Sequence, residues 1–240
     1  MLAVPVLVYV LGESVPEATT ASLVVVTAGA IAGGLGHVRA GRVCWRHAGS
    51  FTAAAVPGIV VGTLAGQVVS GSLVVVAFAL VMLIAAHATW RKAEREDDGT
   101  AATWEGGGVC PPLRLPRDIV AGLAVGFLTG FLGVGGGFLI VPTLAIALAF
   151  TMRTAVGTSL AIITGTSLVG LVAHLASGRS PDVGVTAAMS GACVAGAVVG
   201  VATGARVPQG LLGRGFAGLV TVVAAYLLIS AVLLGGPPGS

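Results

Sequence analysis

Charge is what this sequence has least of. Its 240 residues include 12 Lys and Arg and 9 Asp and Glu, 9% in all, where a soluble domain carries about 25%. A chain this poor in charge and 56% hydrophobic cannot cover a water-exposed surface. The fold class it dictates is all-α, a polytopic membrane helix bundle, because only helices or closed barrels satisfy the backbone inside a bilayer. The acidic residues Glu13, Glu17, Glu94, Glu96, Asp97, Asp98, Glu105, Asp118 and Asp182 all avoid the middle of an apolar run. Cation carriers and proton pumps usually bury a carboxylate. None is offered here, which argues against a cation substrate and against a carboxylate proton relay.

Cysteine is scarce too. Cys44 and Cys110 sit in polar connections and Cys193 in an apolar run, with no CxxC or metal-ligand spacing. They read as unpaired thiols in a reducing compartment rather than as a disulfide or a metal site. No metal and no cofactor is expected. The net charge of +3 needs no nucleic-acid partner, since membrane proteins hold excess Lys and Arg in their cytoplasmic loops. No basic, cleavable leader is evident. The expected setting is the cell (inner) membrane, crossed several times, with the lipid bilayer as one partner. The oligomeric state, including a homo-oligomer, is left open.

Apolar runs and glycine make up the rest. A membrane-spanning helix needs about 20 mostly apolar residues, and candidates lie at 20–37, 48–69, 72–90, 118–135, 154–176, 183–204 and 211–235. Two shorter runs, 1–12 and 138–149, fit half-helices. Residues 91–117 are rich in charge, glycine and proline and read as a cytoplasmic linker. The chain thus divides into a first membrane repeat (1–90), the linker (91–117) and a second membrane repeat (118–240).

The two parts share landmarks. Pro5 matches Pro142, Ser22 matches Ser159, His37 matches His174, and Gly41-Arg42 matches Gly178-Arg179, all at an offset of 137. Gly58, Gly62 and Gly66 then match Gly196, Gly200 and Gly204 at an offset of 138. Duplication of this kind is the plan of secondary transporters, whose site lies at the repeat interface near mid-membrane. The same offset sets Met1 against Phe138, so the first repeat lacks a counterpart of 118–137. The expectation is either a further helix of about 20 residues upstream or a natural truncation. Basic residues place the loops at Arg39/Arg42/Arg46 and Arg91/Lys92/Arg95 on the cytoplasmic side. Arg153, Arg206 and Arg214 against Arg179 favour an inverted second repeat, with a parallel one still open.

Three runs carry glycine at every fourth position: Gly58/Gly62/Gly66, Gly122/Gly126/Gly130 and Gly196/Gly200/Gly204. That spacing makes a flat groove for close helix packing, and packing is the reading preferred for all three. The cluster Gly133, Gly135, Gly136 and Gly137 differs, because consecutive glycines break a helix. A break followed by a helix start exposes N–H groups at a positive dipole end, a natural anion seat. A tight hairpin without a role is the plainer alternative.

The stretch GFLTGFLGVGGGFLIVPTLAIALAFTMRTAVGTSLAIITGTSLVGLVAHLASG, with GHVRAGRV in the first half, resembles the sulfite exporter TauE/SafE family. The resemblance implies a permease for a small anionic substrate, often a sulfur oxyanion or an organosulfonate, and the two repeats lead us to expect alternating access between them. Carried onto this chain, the substrate-binding candidates are Gly135, Gly136 and Gly137 with Thr158, Ser159 and Ser22, whose donors would replace an oxyanion's water shell. Helix capping is an even match for Thr158 and Ser159. The repeated His37 and His174 join the set, although a helix C-terminal histidine is more often structural. No catalytic residue is expected: Ser159 and His174 on one helix would stand about 22 Å apart, too far for a dyad. The rival to transport is a structural or assembly-factor membrane protein.

Overall fold

The computed structural model describes residues 15–66, 71–97, 110–132, 137–176, 183–204 and 206–233. Eight helices order these residues: α1 Val15–Arg39, α2 Trp45–Gly66, α3 Gly71–Asp97, α4 Leu115–Leu132, α5 Gly137–Ala147, α6 Met152–Ala176, α7 Val183–Gly204 and α8 Gln209–Leu233. Among the described residues four helices, within α1, α2, α6 and α7, are long and apolar enough to cross a membrane. The chain is an all-α, multi-pass membrane bundle, as its composition requires.

Helix bounds follow the apolar runs with one clear difference. α3 continues through Arg91, Lys92 and Glu94 to Asp97, into the stretch read as linker. Alanine, lysine, arginine and glutamate are good helix formers, and nothing in RKAERED breaks the turn. α5 has 11 residues and so spans about 16 Å, roughly half a bilayer core of about 30 Å. The short run at 138–149 is thus a half-helix.

Glycine spacing sets the closest pair. α2 and α4 run parallel with their grooves interlocked: a Cβ added at Gly58 would come 2.6 Å from the Leu123 carbonyl oxygen, and one at Gly66 would come 2.7 Å from that of Phe131. From the other side, a Cβ at Gly122 would lie 2.7 Å from the Phe51 carbonyl oxygen. Backbone touches backbone there, so no side chain fits. The third stripe departs from the packing expectation: a Cβ at Gly196, Gly200 or Gly204 meets nothing within 4 Å among the described residues. α7 turns another face inward, where methyls at Gly29 and Gly36 of α1 would strike Cys193 and Val201.

α1 lies antiparallel to α6, with Gly157 against His37 and Gly170 against Leu23. α3 lies antiparallel to α8: Gly213 faces Ala93, while Phe78, Met82 and Ala86 pack on Val220 and Ala224. α5 enters the main core, where Leu139, Ile140, Val141, Leu144 and Ala145 join Phe51, Phe150, Met152 and Ile162. One end of the bundle gathers Arg42, Lys92, Arg153 and Arg206, held by bonds such as Arg153 Nη2 to the Val207 carbonyl at 2.8 Å. We call it the basic end.

Candidate functional site

The described residues bring part of the predicted set together near the basic end. α1 ends at Arg39, and Gly41 takes a left-handed φ of 66°, which an L side chain adopts only at a cost. The turn returns the Arg42 N–H to the His37 carbonyl at 2.9 Å. This carries His37 and Arg42 onto the second turn of α6. There a Cβ at Gly157 would lie 2.6 Å from the Arg42 carbonyl oxygen and 3.0 Å from the His37 ring nitrogen Nδ1. Only glycine lets the two elements approach this closely.

Thr158 and Ser159 follow, both buried. Thr158 Oγ1 accepts the Cys44 N–H at 3.1 Å, and Ser159 Oγ donates to the Val156 carbonyl at 2.8 Å. Each hydroxyl thus has a structural partner, with the Thr158 hydroxyl hydrogen still to be directed. His37 Nδ1 is buried with no hydrogen-bond partner. Ser22 lies half-buried on α1, about 22 Å along the helix from His37, so it does not join this cluster. Gly137 opens α5. Gly135 and Gly136 lie outside the described residues, as does the side chain of His174, whose backbone belongs to α6.

Beside this cluster stands a polar group that the sequence reading did not assemble. Asp118, in the first turn of α4, is 0% exposed, and His47 of α2 is 3% exposed. Their atoms Nδ1 and Oδ2 are 2.7 Å apart. Ser50 Oγ donates to the same Oδ2 at 3.2 Å, and the Phe150 and His47 rings meet in a T-shaped contact at a centroid distance of 5.0 Å. A buried carboxylate is therefore present, contrary to the expectation. It escaped notice because Asp118 lies at the head of an apolar run, where water would ordinarily reach it. The matched glycine spacing of α2 and α4 was the available signal, since docking those grooves in parallel sets the two helix starts side by side.

The cysteines also differ from expectation. Cys44 and Cys110 form a disulfide with Cα atoms 5.7 Å apart, leaving Cys193 as the free thiol. The bond ties the loop before α2 to the segment before α4, and packing of α2 on α4 is what brings these segments together. Among the described residues no cluster of three or more His, Cys, Asp or Glu could hold a metal.

A sequence model described as "Sulfite exporter TauE/SafE" matches residues 1–227. A "Probable membrane transporter protein" of Xylella fastidiosa strain 9a5c is 32% identical over 235 residues, covering 95% of this chain and 86% of the relative. "Probable membrane transporter protein YunE" of Bacillus subtilis strain 168 is 43% identical over 61 residues, 25% of this chain and 22% of the relative. No solved structure matches. A non-enzymatic membrane transporter is what these similarities and the helical bundle jointly describe, and the chain belongs to the sulfite exporter TauE/SafE family.

Proposed function

We propose that this chain moves small sulfur-containing anions, sulfite foremost, by alternating access between two inverted repeats. The observation that carries the reading is the seat of Gly157-Thr158-Ser159 from the second half against His37, Arg42 and Cys44 from the first. A site shared by two bodies changes shape when they rock, which is what alternating access requires. The antiparallel pairing of α1 with α6 and of α3 with α8 is the arrangement that inverted repeats would produce. The half-helix α5 supports the reading further, because a helix of half a bilayer's length that follows the glycine cluster in sequence would start inside the membrane, where its dipole would favour an anion. The basic end adds a positive approach for an anion arriving from that side.

The test is flux. Purified protein in liposomes takes up or releases labelled sulfite, and Gly136→Leu and His37→Gln slow it while leaving the folded fraction unchanged. Absence of flux for sulfite, sulfate and short organosulfonates alike, with Gly136→Leu indistinguishable from the parent, defeats the transport reading and favours an assembly role.

A further inference from the structure

The Cys44–Cys110 bond lies beside the proposed anion cluster, and the cargo named for that cluster reacts with disulfides. Sulfite carries a lone pair on sulfur, and sulfate does not. Cys44 gives its N–H to Thr158 Oγ1 at 3.1 Å. It stands two residues from Arg42, whose carbonyl lies against Gly157. The interlocked glycines already fix α2 on α4, which leaves the bond free to open without parting the helices.

Resting on the transport reading with sulfite as cargo, we propose that Cys44–Cys110 is a sulfite-reactive site, through which the cargo itself loosens the basic end. The sulfite sulfur attacks Cys110 Sγ with its lone pair, a new S–S bond forms there, and the bond to Cys44 breaks. The electron pair of the broken bond leaves on Cys44 as a thiolate, and Cys110 becomes an S-sulfonate. The sulfite sulfur is oxidised as the Cys44 sulfur is reduced, so no outside oxidant or reductant enters. The reverse step restores both partners: the Cys44 thiolate attacks Cys110 Sγ and expels sulfite.

Burial and helix position set the direction of attack. Cys44 is 2% exposed while Cys110 is half-buried, so the incoming anion meets Cys110. Cys44 directly precedes α2, and its carbonyl accepts the Ala48 N–H at 2.9 Å, as an N-cap residue does. A thiolate left there stands at the positive end of a 22-residue helix, where negative charge is favoured. The better-stabilised thiolate leaves faster. Half-buried Arg42 and exposed Arg46 and Arg114 flank the two cysteines in sequence with positive charge that draws an anion. The buried carboxylate of Asp118 is already engaged by His47 and Ser50. Cleavage frees Cys110 and with it Pro111, whose carbonyl oxygen faces His47 Nε2 at 3.1 Å. Cys44 stays on Thr158, so the segment before α4 loosens while the anion cluster keeps its contact.

The experiment uses the full chain purified without reductant, incubated with sulfite, quenched by alkylation and mapped by peptide mass spectrometry. The expected result is one SO3 unit on Cys110 and the alkyl label on Cys44. Its rate saturates with sulfite concentration and falls when sulfate is added at matched ionic strength. Arg42→Gln is expected to slow the reaction about fivefold below saturation by removing one nearby charge, and Arg42→Lys to restore it. Hydrogen exchange at residues 110–118 rises on sulfite treatment of the parent and not of Cys110→Ser. A rate strictly proportional to sulfite, indifferent to sulfate and equal in Arg42→Gln, marks an ordinary accessible disulfide and overturns the proposal. An adduct on Cys44, or no adduct on the folded parent, overturns it as well, and both readouts need no variant. Adduct formation without sulfite flux counts against the transport reading alone.

Discussion

The Cys44 N–H donates to Thr158 Oγ1 at 3.1 Å across 114 residues of sequence. The bond joins the start of α2 to the second turn of α6, and therefore the first half of the chain to the second. Thr158 sits at 0% exposure, so neither group has water as a substitute partner.

Thr158→Val removes the acceptor and keeps the shape. The stranded N–H is expected to cost about 1–3 kcal/mol, read as a lower midpoint of thermal unfolding in detergent. Thr158→Ser restores the acceptor and most of the stability. If sulfite flux falls in Val but not in Ser at matched folded fractions, the hydroxyl serves transport as well as packing.

The glycine stripes predict opposite outcomes for one substitution. Gly62→Ala puts a methyl into the Phe127 carbonyl, with the Phe131 nitrogen 2.8 Å away. Backbone cannot rotate aside, so the change is expected to destabilise by about 1–3 kcal/mol or more. Gly200→Ala meets open space and removes a helix penalty of roughly 1 kcal/mol, so it should be neutral or stabilising. Parallel thermal melts of the two variants decide this.

Reducing the Cys44–Cys110 bond releases a loop of 66 residues. On the chain-entropy account a loop of that size is worth about 4 kcal/mol. Cys110→Ser should lower the unfolding midpoint and abolish the mobility shift between reducing and non-reducing gels. The same variant should lose protection from hydrogen exchange at residues 110–118.

Lys92→Met removes the ammonium that donates to the Ala145 and Phe150 carbonyls, the latter at 2.6 Å. Hydrogen bonds from a charged donor contribute about 1.5–3 kcal/mol. Faster hydrogen exchange confined to the end of α5 and the turn after it is the expected signature.

The helices were legible because lipid enforces a simple rule: about 20 apolar residues for a crossing, fewer for a half-helix. Glycine spacing marked α2 and α4 as close-packing helices, though not as each other's partners. It could not tell that the same spacing on α7 would face away, because spacing describes a groove and not its occupant. The anion-side cluster was legible in part. Thr158, Ser159 and His37 stand out by type, whereas their meeting depends on Gly41 and Gly157, which carry no chemistry of their own. The His47–Asp118 pair was not legible, since each residue opens a helix in ordinary polar company. Only the register of α2 on α4 removes both from water. The disulfide was hidden for the same reason, as 66 residues separate its partners.

The turn that ends α5 is closed by the Phe150 N–H on the Leu144 carbonyl at 3.2 Å, with Ala149 in the left-handed region at φ 57°. Helices that stop this way usually place glycine there, and alanine costs about 1–2 kcal/mol more in that conformation. The half-helix is therefore fastened from outside, by the Lys92 ammonium and by the Phe150 ring lodged on His47. Release of those two holds leaves a last turn already biased to unwind. The end of α5 is thus held in a strained turn, and glycine at position 149 would relax it.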